Sequence, residues 1–168
     1  MATTERPVVV MNLAAAWAVD AAFFFTIGAG FLLWGVIARS ATRNILAFAI
    51  MATVAMLAER MTPFTPNAAA LAQAHERPPD GAVQRTWRRY AADAAVAMMA
   101  LSALYVVLVL YLAPPGFVAG WMTAYCVSRL RALASVREIE RASRVRLSFH
   151  VQRSLWRRRT PMYYATPG

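Results

Sequence analysis

Asp20 is the residue whose type and placement could do chemistry. It falls inside the apolar run 8–38, which is longer than the ~20 residues a bilayer crossing needs. A carboxylate there is costly enough to count as a functional hypothesis by default. Proton or cation movement is the chemistry one such group could serve. A relay needs a second buried partner, and Glu59 and Asp93 fall near the ends of their own apolar runs. The alternative is an Asp20 close to the interface, paired with an arginine or a hydroxyl. Asn12, two turns earlier, keeps that option open.

The remaining reactive side chains are few. His75 and His150 are the two histidines, and both fall outside the apolar runs, so neither is placed to ligate a haem or chlorophyll within a helix bundle. Cys126 is the single cysteine. It excludes an internal disulfide and a structural zinc or iron–sulfur site, and it reads as a small packing residue. All 18 basic residues are arginine, and without lysine no Schiff-base chemistry is open to the chain. GxSxG, HExxH, Walker and CxxC patterns do not occur. The sequence therefore predicts no catalytic residue, no metal site and no cofactor of its own, with peripheral lipid or pigment contact left open.

The elements that would position these residues are hydrophobic. The chain has 168 residues, 60% of them hydrophobic and 15% charged, far from the roughly 25% charged of soluble domains. Apolar runs cover 8–38, 45–58, 90–113 and, more briefly, 117–128. The first is too long for a signal-peptide core and follows Glu5 and Arg6, so it reads as a retained membrane helix that begins after Pro7. Short turns lie at 39–44 and 113–116. A longer polar connection, 62–89, holds a surface-helix candidate at 68–75 and a Pro-Pro-Asp-Gly turn.

Charge sorting counts the crossings. With the N-terminus in the cytoplasm and four crossings, 16 arginines lie inside and Arg39 and Arg43 lie outside, as the positive-inside bias requires. Three crossings would strand the basic tail outside. The expected fold is an all-α integral membrane protein with four transmembrane helices, or three if the fourth segment fails to span. Its spans cover about 8–38, 44–61, 90–112 and 117–136, forming a membrane region 1–136. A basic cytoplasmic tail follows over 137–168, helical at first and then extended over 144–152.

That extended segment alternates polar and apolar residues, and Val145, Leu147, Phe149 and Val151 share one face of a strand. No second strand of comparable quality is visible. A solitary strand gains burial and backbone partners by joining another sheet, so these four residues are expected to bind a partner chain. Arg88, Arg89, Arg129, Arg131, Arg157, Arg158 and Arg159 flank the spans. They are expected to meet anionic lipid headgroups, and no nucleic-acid motif accompanies them.

Ala14, Ala18, Ala22, Thr26 and Gly30 recur every four residues along the first helix. Small residues let helix backbones approach closely in lipid. The stripe is either a contact face for another protein's helix or a packing face for this chain's own helices. Together these features point to a non-catalytic accessory subunit of a larger complex in a bacterial inner membrane, cytoplasmic or intracytoplasmic, with both termini cytoplasmic. An energy-converting assembly, photosynthetic or respiratory, is the analogy. The alternative is a small oligomeric four-helix transporter or channel built around Asp20. A third reading is a membrane anchor or sensor with a lipid-binding tail.

Overall fold

The computed structural model describes residues 9–38, 40–61, 82–150 and 163–167. Four helices account for most of them: α1, Leu13–Ala38; α2, Ala41–Met61; α3, Trp87–Tyr111; and α4, Pro115–Ser143. Four short strands join them: β1, Val9–Asn12; β2, Val83–Gln84; β3, Val145–His150; and β4, Tyr163–Pro167. By length and composition, α1, the Ala41–Ala58 part of α2 and the Trp87–Val109 part of α3 can each cross a membrane. α4 is long enough at 29 residues, but Arg129 and Arg131 interrupt its apolar run.

The helix ends follow local chemistry. Asn12 accepts a hydrogen bond from the Ala15 N–H through Oδ1 at 2.9 Å, an N-cap that starts α1 at Leu13 and not directly after Pro7. Pro115 occupies the first turn of α4, where its missing N–H costs nothing. α4 then runs without a break through position 136, where the sequence suggested a boundary between membrane region and tail. It ends where Arg144 adopts a left-handed conformation, φ 53°, turning the chain into β3.

α1 and α4 lie antiparallel along most of their lengths. Near one end Phe31 packs with Val118 and Met122, and Val109 of α3 joins them. At the other end Leu13 and Trp17 pack with Ala132, Leu133 and Val136. Glycine makes the approach close: a Cβ on Gly28 would stand 3.1 Å from Met122 Cβ. α2 packs on α4 through Gly116 and Gly120. A Cβ on Gly120 would stand 2.5 Å from the Phe48 carbonyl oxygen, and one on Gly116 would fall on the Asn44 carbonyl oxygen. Asn44 is itself buried and ties three elements together. Its Nδ2 donates to the Gly35 and Ser40 carbonyls at 2.9 Å each, and its Oδ1 accepts from the Gly116 N–H at 3.0 Å.

The strands gather at the opposite end in one sheet of order β2-β1-β3-β4. This corrects the expectation of a solitary strand. β3 is extended, as its alternation predicts, but β1 pairs antiparallel on one side, Met11 opposite Phe149. β4 pairs antiparallel on the other, Leu147 opposite Ala165. β1 escapes notice because Val9–Asn12 is as apolar as the helix it precedes. β4 reads as irregular because of Pro167, which an edge strand tolerates at its end. The apolar face of β3 is covered from within the chain as well. Leu147 is buried against Leu13, Trp17, Leu133 and Val136, and Phe149 packs beside it. Val151 lies outside the described residues, as do the surface-helix candidate at 68–75 and the Pro-Pro-Asp-Gly turn at 78–81.

Candidate functional site

Asp20 lies seven residues into α1, about 10 Å along its axis from Leu13. That places it near the sheet end of the bundle. α3 begins at the same end, because β2 runs parallel to β1 and the Arg85 N–H bonds the Val10 carbonyl at 2.8 Å. The first turn of α3 therefore brings Tyr90 to Asp20, and its hydroxyl donates to Oδ1 at 2.8 Å. α4 returns to this end antiparallel to α1 and supplies Arg129, whose Nε stands 3.8 Å from Oδ2. One carboxylate thus joins three helices, and its side chain is 15% exposed. On α3, Asp93 forms a separate ion pair with Arg85.

This arrangement corresponds to the alternative in which Asp20 is held by an arginine and a hydroxyl. Each polar group satisfies the next: the hydroxyl donates to the carboxylate, and the guanidinium offsets its charge. A buried carboxylate without such partners would be expensive. Arg129 consequently turns toward Asp20, with about a quarter of its side chain, 24%, left exposed for the headgroup contact expected of it. Arg88, Arg89 and Arg131 are exposed, and Arg88 stands 5.6 Å over the Trp87 ring. Arg157, Arg158 and Arg159 lie outside the described residues. Among the described residues no three His, Cys, Asp or Glu side chains gather as a metal site would require.

The small-residue stripe is divided. Ala14 and Ala18 pack against the core at the sheet end. Ala22, Thr26 and Gly30 are exposed, and a Cβ added to Gly30 would meet nothing within 4 Å. Thr26 donates its hydroxyl to the Ala22 carbonyl at 2.9 Å, leaving no unmet donor on that face. The close approaches within the chain use Gly28 and Gly35 of α1 and Gly116 and Gly120 of α4. The four-residue series on α4, Gly116, Gly120, Ala124, Ser128 and Ala132, is buried throughout. That spacing is written in the sequence, but it spans both the Pro-Pro-Gly turn and the arginine-interrupted segment, which obscures it.

The chain matches no protein-family model, no curated protein and no solved structure.

Proposed function

We propose that the protein is a non-catalytic accessory subunit of a larger membrane complex, seated against its neighbours by the outer faces of α1 and α3. The observation that carries this reading is how little of α3 its own chain covers. Val109 is the buried side chain among the described residues of this helix. Ala92, Ala97, Ala100 and Ala103 face outward with Val96, Met99 and Leu104. Small residues are enriched where helices meet in lipid. Here they lie exposed on α3 and, as Ala22, Thr26 and Gly30, on α1. Gly30 and Ser102 line one shallow groove between the two helices, so the two faces are continuous.

Four crossings with both ends cytoplasmic fit the same picture. α1 and α4 run side by side, so a bilayer around α1 also surrounds α4. The sheet end carries Arg85, Arg88, Arg89, Arg137, Arg141, Arg144 and Arg146, against Arg43 at the other end among the described residues. By the positive-inside bias the sheet lies on the cytoplasmic side of a bacterial inner membrane. Energy-converting complexes, photosynthetic or respiratory, remain the analogy for the host assembly. The transporter reading loses ground because Tyr90 and Arg129 both engage Asp20, which removes the free carboxylate a pathway would use.

Replacing Thr26 and Gly30 together by leucine tests the proposal. The variant is expected to insert and fold normally, because Thr26 is exposed and a Cβ at Gly30 would meet nothing within 4 Å, yet to lose its partners on extraction in mild detergent. Full retention of every partner would overturn the assignment of this face.

A further inference from the structure

A second surface carries more specific chemistry. On the face where α2 and α4 meet near the sheet end, Met51, Val54, Ala55 and Ala58 of α2 oppose Trp121, Ala124, Tyr125 and Ser128 of α4 around a cavity of about 190 Å³. The walls are almost wholly apolar, and Tyr125 and Ser128 are the lining residues that carry a hydroxyl. Tyr125 stacks on Phe24 of α1 at 5.3 Å between ring centroids and tilts against Trp121 at 6.0 Å, which gives the α4 side a rigid aromatic wall. Ser128 is 2% exposed, and its Oγ has no hydrogen-bond partner among the described residues. Buried hydroxyls are ordinarily satisfied, and one left alone calls for an explanation.

The explanation lies in the order of groups along α4. Trp121, Ala124, Tyr125, Ser128 and Arg131 follow at helical spacings of three and four residues and share a face. Read toward the sheet, that face offers an aromatic and aliphatic wall, then a hydroxyl, then an exposed guanidinium. From Trp121 to Ser128 it extends about 10 Å, and Arg131 stands one turn beyond. This is the order of a phospholipid standing in a leaflet: acyl chain, ester carbonyl, phosphate. The partly buried Arg129 faces Asp20, and Arg131 is the exposed cation that α4 presents on this side among the described side chains. We infer that the α2–α4 groove holds one phospholipid acyl chain, with the ester carbonyl accepting from Ser128 Oγ and the phosphate meeting Arg131. The inference rests on the reading that these helices lie in the bilayer with the sheet on the headgroup side. It does not depend on the accessory role.

Full-length protein in vesicles of phosphatidylglycerol and phosphatidylcholine, doped with a phospholipid carrying a photoactivatable diazirine near its ester carbonyl, tests this by mapping cross-linked peptides. Labelling is expected to concentrate on Tyr125 and Ser128. Ala55→Phe, which fills the groove, should reduce it at least tenfold. Ser128→Ala should reduce it about fivefold, the size of one net hydrogen bond, and Arg131→Gln should lower the preference for the anionic lipid. Labelling of the outer α3 face at Val96 and Met99 should stay constant in all three. Uniform labelling that ignores Ala55→Phe and Ser128→Ala would overturn the site. So would a quinone or isoprenoid alcohol, and no phospholipid, retained through purification. Loss of labelling on α3 as well would instead refute the membrane reading on which the site rests.

Discussion

Replacing Gly116 by alanine separates this helix packing from a loose association of apolar helices. The added methyl would fall on the Asn44 carbonyl oxygen, and Asn44 C and Cα lie close behind it. All three are backbone atoms, so no rotamer change relieves the clash and α4 must move off α2. Overpacking of this kind costs about 1–3 kcal/mol. The shift also stretches the 3.0 Å hydrogen bond from the Gly116 N–H to Asn44 Oδ1, worth about 0.5–1.5 kcal/mol net. Position 116 lies in the first turn of α4, so little of the usual helix gain of alanine over glycine, about 0.5–1 kcal/mol, offsets this. The expected loss is about 2–3 kcal/mol. Gly30→Ala is the internal comparison: its methyl meets nothing within 4 Å, so the isolated chain should be unchanged or up to about 1 kcal/mol more stable. Reversible unfolding by dodecyl sulfate in mixed micelles, followed by helix ellipticity, reads both values. Equal stability of Gly116→Ala and the parent would refute the close α2–α4 contact, and a large loss for Gly30→Ala would refute the exposure of that face.

Asp20→Asn keeps an acceptor for Tyr90 but strands Arg129. Because Arg129 is 24% exposed and can reach toward the interface, the loss in the same assay should be about 1 kcal/mol, well below that for breaking a fully buried pair. The double variant with Arg129→Gln should recover most of it, and a proton-coupled activity abolished by Asp20→Asn at unchanged protein level would restore the transporter reading. Cysteines at Ala41 and Thr166, in a Cys126→Ala background, should label from opposite sides of sealed vesicles; Thr166 serves because it pairs with exposed Arg146, and same-side labelling would contradict four crossings. Leu147→Ala should cost the isolated chain about 2–5 kcal/mol, since Leu147 is 1% exposed among Leu13, Trp17 and Val136; an unchanged stability would show that β3 serves a partner and not its own core.

What the sequence discloses depends on period and on distance along the chain. The apolar runs that became α1, α2 and α3 are legible because length and hydropathy are local properties. The extended state of β3 is legible for the same reason, as an unbroken two-residue alternation. Its partners are not, because β1 lies more than 130 residues away and has the composition of the helix it precedes. The small-residue stripe shows a similar limit. Spacing marks Ala14, Ala18, Ala22, Thr26 and Gly30 as equivalent, whereas packing separates the first two from the rest, and nothing local distinguishes Gly30 from Gly28. Asn44 reads as one more polar residue of a turn until α4 folds back to give it the Gly116 N–H. The pairing of Asp20 with an arginine and a hydroxyl was open as a class. Tyr90 and Arg129 could be named only once three helices had been set side by side.

The most direct measurement is the native mass of the particle that carries this chain after extraction from its own membranes in a mild non-ionic detergent. The accessory-subunit account predicts a large assembly in which this polypeptide occurs at fixed stoichiometry with other, different membrane proteins. A particle containing only copies of this chain, or the chain alone, would contradict it.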